Sequence, residues 1–137
     1  MSYLLDTNVL SELRRKQPDI NVIGWIEKRP PTTLFLSALT LGGLRKGIES
    51  MPDGDRKRSY LDWLEVDLPR FFSSRVLAVD AEVADVWGRL TAKAGRAVPA
   101  IDSLLAATAL AHGLAMVTRN ERDFQYAGLD VINPWHP

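Results

Sequence analysis

Five short apolar runs, separated by segments of helical periodicity, constrain this chain more than any other feature. They are Tyr3-Leu-Leu5, Leu34-Phe-Leu-Ser37, Val76-Leu-Ala-Val79, Leu114-Ala-Met-Val-Thr118 and Leu129-Asp-Val-Ile132. Each has strand length and is bounded by turn or capping residues. Between them, Val9, Leu10 and Leu13 predict a first helix, and Val22, Ile23, Trp25 and Ile26 a second that ends before Pro30-Pro31. Thr40 is a plausible cap for a third helix carrying Leu41 and Leu44. Pro52-Asp-Gly54 reads as a turn, and Asp55 to Ser74 as a helix closed or bent by Pro69. Asp80 caps a helix running through Val83, Val86, Trp87 and Leu90 toward Gly95. Ala100 to His112 is a small-residue helix ended by Gly113, and Glu121 to Tyr126 a short one. Strands alternating with helices across short connections predict an α/β fold with a central, mostly parallel β-sheet flanked by α-helices. The 137 residues, with no repeat or low-complexity linker, are expected to form one domain, 1–137.

Composition narrows the chemistry. There is no Cys, and His112 and His136 are the only imidazoles, which removes disulfides, thiolate zinc sites and a cysteine nucleophile, and disfavours histidine-based metal chemistry. His112 is simplest as a residue at a helix C-terminus, with no Ser-His-Asp arrangement around it. Lys plus Arg and Asp plus Glu balance at 17 each, so any contact with a polyanion must come from a local patch. No apolar run approaches the roughly 18 residues of a membrane span. Met1-Ser-Tyr-Leu-Leu-Asp6 carries no basic leader, so a cytoplasmic protein without a secretory signal is expected.

In a parallel sheet the functional crevice lies outside the carboxyl ends of the strands. Asp6 ends the first run, Asn120 and Asp123 follow the run ending at Thr118, and Asp102 lies in the first turn of the Ala100–His112 helix. Three acids from distant parts of the chain are thus expected to converge. Clustered Asp without Cys or His suits a hard divalent cation such as Mg²⁺, which prefers oxygen ligands and uses one or two carboxylates plus substrate phosphate. That chemistry serves phosphodiester hydrolysis. Plainer readings stand beside it: Asp6 as a helix cap, Asp102 as an acid complementing a helix dipole, and Asp123 as a salt-bridge partner of Arg119 or Arg122. Thr7, Asn8 and Thr118 read equally as cap or turn residues and as groups that hold the carboxylates or a water. Arg45 and Lys46 are the first candidates for phosphate contact, ahead of Arg14-Arg15-Lys16 and Arg56-Lys57-Arg58, which read as solvated faces. Trp25, Trp63 and Trp87 fall at apolar helical spacing and read as core or interface.

The segments "LLDTNVLSEL" (4–13), "LFLSALTLGGLRKGI" (34–48), "AIDSLLAATALAHGLAMVTRNERDF" (100–124) and "INPW" (132–135) resemble the PIN-domain toxins of VapBC type, in particular the FitB-like branch. The resemblance runs in order over almost the whole chain. It implies a PIN-like fold and a Mg²⁺-dependent endoribonuclease, with Mn²⁺ as a possible substitute. It also implies the toxin half of a type II toxin–antitoxin pair, homodimeric and silenced by a VapB-type antitoxin, with RNA as substrate. Carried over, Asp6 and Asp102 match the first and central metal-binding acids. The last acid corresponds to Asn120 or Asp123, with Asp123 preferred as the carboxylate and Asn120 as a neutral helper.

One position departs from the family. Where relatives generally read "ITLAELRKG" this chain reads "LTLGGLRKG", so Gly43 stands at the place of a glutamate thought to help hold the metal and activate water. Metal affinity and cleavage are expected to be weakened. Gly42 replaces a frequent Ala, and close helix packing is expected there. Two other readings remain open: a degenerate PIN domain that only binds antitoxin or RNA, and a phospho-accepting signalling receiver. A receiver normally pairs acids at the first strand end, whereas Asp6 is followed by Thr7 and Asn8.

Overall fold

The computed structural model describes residues 1–137. Five parallel strands, β1 (Tyr3–Leu5), β2 (Leu34–Ser37), β3 (Val76–Leu77), β4 (Ala115–Val117) and β5 (Val131–Ile132), form one sheet in the order β3-β2-β1-β4-β5. All five stand where the apolar runs placed them, although β3, β4 and β5 are shorter than those runs. Pairing of Leu4 with Phe35 and Met116, and of Leu5 with Val117, puts β1 at the centre.

Side chains alternate across the sheet, and this alternation divides the core. Leu5, Leu34, Leu36 and Val117 face a cluster with Val9, Leu10, Val22 and Trp25 from α1 (Thr7–Leu13) and α2 (Ile20–Glu27). Leu44 and Ile48 of α3 (Ala38–Glu49) complete that side with Leu64, Leu68 and Phe72. On the opposite face, Leu4 and Met116 meet Leu105, Ala106 and Ala109 of α7 (Ala100–Ala111). The alanines bring α7 close to the strands, and α6 (Ala81–Ala94) packs against it. No helix is long and apolar enough to cross a membrane.

The segment expected as one helix from Asp55 to Ser74 is three pieces. α4 (Asp55–Asp62) runs into a π-helical turn (Trp63–Asp67) and then α5 (Leu68–Phe72). Pro69 explains the widening: its ring clashes with the carbonyl four residues back and it has no N–H to donate, and a wider turn relieves both. Glu121–Phe124 is a 3₁₀ turn that stops short of Tyr126. Gly113 follows α7 at φ +66°, where a Cβ is disfavoured, so the chain reverses into β4.

The cap of α3 is Ser37, whose Oγ accepts from Leu39 N at 3.1 Å, rather than Thr40. Thr40 lies inside the helix, buried, its hydroxyl without a partner. Packing at Gly42 also differs from expectation, since a Cβ added there would meet nothing within 4 Å.

Candidate active site

Asp6 leaves the carboxyl end of β1 with its backbone N–H donating to Val117 O at 2.9 Å, which ties it to the end of β4. Its Oδ1 accepts from Thr7 N at 2.7 Å and its Oδ2 from the Thr118 hydroxyl at 2.7 Å. Asn8 Nδ2 adds a longer contact to Oδ2 at 3.4 Å, while its Oδ1 accepts from Arg119 N at 3.3 Å. Thr118 Oγ1 also accepts from Asn120 N at 3.0 Å. The cap reading and the functional reading of Asp6 therefore coexist: the bonds that start α1 also fix the carboxylate. Thr7, Asn8, Thr118 and Asn120 form the frame that holds it.

Asp6 is only 8% exposed. Burial raises its pKa above the ordinary 3.8, the Thr118 and Thr7 hydrogen bonds pull it back, and the charge of Asp123 raises it again. Asp102, half-buried in the first turn of α7, is raised by burial, then by Asp123, then by Asp6. The three predicted acids thus feel one another across the ends of neighbouring strands. Asp123 itself is exposed on the 3₁₀ turn and stands at the rim, outside the residues lining the cleft.

That cleft has a volume of about 720 Å³, and Asp6, Asp102, Asn120, Glu12, Arg15 and Arg119 are among its walls. It contains no lysine, which removes the side chain a receiver uses beside its acids. Sequence reasoning does not point to Glu12, and it places Arg15 in a solvated run, Arg119 as a salt-bridge partner of Asp123 and Trp135 in a family segment, none of them in the cleft wall. Glu12 is 4% exposed and accepts from Asp19 N at 2.8 Å and from Arg15 at 3.2 Å, so it joins α1 to the start of α2. Arg119 lies over the Trp135 ring at 5.1 Å. The "INPW" segment accounts for this placement: Asn133 Nδ2 donates to Glu121 Oε2 at 3.1 Å and its Oδ1 accepts from Trp135 N at 2.9 Å. A terminal motif that resembled the family without an assigned role therefore braces the loop after β4.

Thr7, Ser11 and Tyr60 are shared with an adjoining groove of about 540 Å³, and Gly43 lies in its wall. A Cβ built on Gly43 meets nothing within 4 Å, so the position opens onto free space. Arg45 and Lys46 line neither cavity. Arg45 is turned toward Glu49 at 3.3 Å and Glu65 at 3.4 Å. Among the cations that do line these cavities, Arg15 is paired with Glu12 at 3.2 Å, while Arg119 in the cleft and Arg56 in the groove have no carboxylate partner.

No three His, Asp or Glu side chains close by themselves into a metal cage. The donor set nevertheless fits a hard cation, because Mg²⁺ completes its shell with water after taking one or two carboxylates. Asp6 and Asp102 offer two oxygen donors whose negative charges repel in a partly buried site, and a cation relieves that repulsion.

Comparison with known proteins agrees with this geometry. A family model described as the PIN domain matches residues 3–129. The plasmid stability protein StbB of Pseudomonas syringae pv. tomato is 44% identical over 135 residues, covering 96% of this chain and 97% of that protein. The VapC ribonuclease Y4jK of Sinorhizobium fredii is 41% identical, covering 98% of each. The crystal structure of FitAcB from Neisseria gonorrhoeae superposes with a TM-score of 0.90 at 35% identity, over 98% of this chain and 99% of that one. With a matching model over nearly its whole length and such relatives, the chain belongs to the PIN-domain family, in the branch with the VapC and Fit proteins.

Proposed function

We propose that residues 1–137 work as one PIN domain, the toxin of a type II toxin–antitoxin pair, and that it is a Mg²⁺-dependent endoribonuclease. The observation that carries this reading is that Asp6, at the carboxyl end of β1, and Asp102, in the first turn of α7, line one cleft, with Asp123 on the turn after β4. Asp6 and Asp102 hold the cation, Mn²⁺ being able to replace Mg²⁺, and Asp123 acts through water at the rim. When bound, the cation acidifies the attacking water and neutralises charge on the scissile phosphate. Thr7, Asn8 and Thr118 keep Asp6 in place, and Asn120 supports the same loop as a neutral group. Arg119 orients phosphate oxygens in the cleft. The reaction is hydrolysis: the water oxygen bonds to phosphorus and gives up a proton to solvent, the bond to the leaving oxygen breaks, and that oxygen takes a proton from solvent.

The partners follow from relatives. The FitAcB complex supports an antitoxin of Fit or VapB type as partner, and relatives named ribonucleases support action on RNA; a homodimer in the cytoplasm, silenced by that antitoxin, belongs to the same reading. Gly43 makes this chain a weak enzyme beside relatives that carry glutamate there. Its openness also favours the degenerate reading, in which antitoxin or RNA binding persists without cleavage. Cleavage of a fluorogenic RNA decides between them. Activity that appears with Mg²⁺, stops with EDTA and is lost in Asp6→Asn supports the nuclease. Activity equal in Asp6→Asn and the parent would refute it.

A further inference from the structure

The acidic cleft opens, through Arg15 and Tyr60, into a second cavity of about 880 Å³ lined by Arg14, Arg15, Lys16, Gln17, Arg56 and Tyr60. We infer that this cavity is the path by which single-stranded RNA leaves the cleft, with Arg14, Lys16 and Arg56 on its phosphates. The inference rests on the nuclease reading above and adds a binding site to it.

Charge contributes to this place, and its contact with the acidic cleft sets it apart from the other unpaired cations. Arg15, Arg45, Lys57, Arg58 and Arg89 are each paired with a carboxylate. Arg14, Lys16 and Arg56 have no such partner, although the whole chain is electrically balanced. Three uncompensated cations on one wall therefore create a local positive field. Arg14 is positioned rather than loose: its guanidinium lies 4.7 Å from the Tyr60 ring and 5.4 Å from that of Trp63, and it donates to Ser59 Oγ at 3.0 Å. Arg56 flanks Tyr60 at 5.7 Å. Cations interleaved with an aromatic face suit a single strand, whose backbone follows the charge while a base meets the ring.

Continuity decides in favour of RNA over an acidic protein segment. A strand whose scissile phosphate sits against Asp6 and Asp102 is repelled by the acids and must leave along a wall that attracts it. Another basic cleft, about 390 Å³ around Arg89, Lys93, Arg96 and Tyr126, shares no lining residue with the acidic one. The Arg14–Tyr60 wall shares two.

The test is fluorescence anisotropy of a short labelled single-stranded RNA in EDTA, with salt raised from about 50 to about 200 mM. Each lost phosphate contact lowers the log–log salt slope by about 0.7 for a single strand, so the double variant Lys16→Gln/Arg56→Gln is expected to lower it by about 1.4. Its affinity deficit then shrinks about sevenfold over that salt range. Arg56→Lys restores one contact. The exposed pair Lys28→Gln/Arg70→Gln, which lines none of these cavities, leaves the slope unchanged. An unchanged slope in the first variant, while the parent binds and cleaves RNA, overturns the path and leaves the nuclease reading standing. If that variant instead loses binding to polyglutamate, the cavity belongs to a protein partner. A parent that binds no RNA removes both readings.

Discussion

Adding a side chain at position 43 tests the site with a signal that helix propensity alone cannot mimic. Gly43 lies in α3 with open space where its Cβ would be, so Gly43→Ala should add about 1 kcal/mol of stability. With an unfolding entropy of about 2.1 cal/mol/K per residue over 137 residues, about 0.29 kcal/mol/K in all, that gain raises Tm by about 3 °C. Gly43→Glu behaves differently. Its propensity gain is smaller, about 0.6 kcal/mol, and in EDTA the new charge sits along the groove wall shared with Thr7, next to Asp6, and offsets part of it. With Mg²⁺ at ten times its dissociation constant, binding to the native state contributes about 1.4 kcal/mol, a further rise of about 5 °C. The expected pattern is a smaller Mg²⁺-dependent rise of Tm in Gly43→Ala, where only Asp6 and Asp102 hold the ion, than in Gly43→Glu, and faster cleavage of fluorogenic RNA only in the latter. Thermal melts in EDTA and in Mg²⁺, paired with initial rates, supply all three readings. If Gly43→Glu melts like Gly43→Ala in both buffers and cleaves no faster than the parent, position 43 is not part of a metal site.

Further outcomes follow from the frame around Asp6. Thr118→Val removes the hydroxyl that serves both Asp6 Oδ2 and Asn120 N in a fully buried position, and should lower stability by about 1–3 kcal/mol in urea unfolding together with RNA cleavage. Glu12→Leu leaves the Asp19 N–H without its acceptor and should cost a similar amount, about 1–3 kcal/mol, in the same assay. In EDTA the raised pKa values of Asp6 and Asp102 mean that the folded state holds protons the unfolded chain releases. Their stabilising contribution is therefore complete below the ordinary 3.8 and is lost as pH rises through the raised folded values. Urea midpoints of the parent should fall across that interval relative to Asp6→Asn/Asp102→Asn, and parallel curves would refute the assignment.

The fold was legible because its signals are local. Tyr3-Leu-Leu5 and Ala115-Met-Val117 pair in the sheet, and alternation within them divides Leu4 and Met116 from Leu5 and Val117, a separation written in every second residue. What was not legible depended on a choice among neighbours. Ser37 and Thr40 are both good caps, and Ser37 prevails because it ends β2 in extended conformation, whereas Thr40 is already inside the turn. Asp55 to Ser74 has continuous helical apolar spacing, and nothing in that spacing announces a π turn ahead of Pro69.

The acids and the cations of the site differ in legibility for a related reason. Asp6 and Asp102 are marked by position, one at a strand end and one in a first helical turn, and those positions face the same crevice in any sheet wound this way. A surface arginine carries no such mark. Arg45 is the better candidate by proximity in sequence, yet it lines neither cavity, and Glu49, four residues along the same helix, and Glu65, on the π turn, lie beside it. Arg14 and Arg56 read as members of charge runs; Arg56 meets Tyr60 through the four-residue spacing of α4, but only tertiary packing brings Arg14 to the same ring. Whether a cation can meet a phosphate depends on which carboxylates the fold leaves beside it, and that is a property of tertiary packing. An acidic floor at the strand ends with an uncompensated basic wall beside it is therefore the arrangement to seek in such a chain, in place of a count of Lys and Arg near the motif.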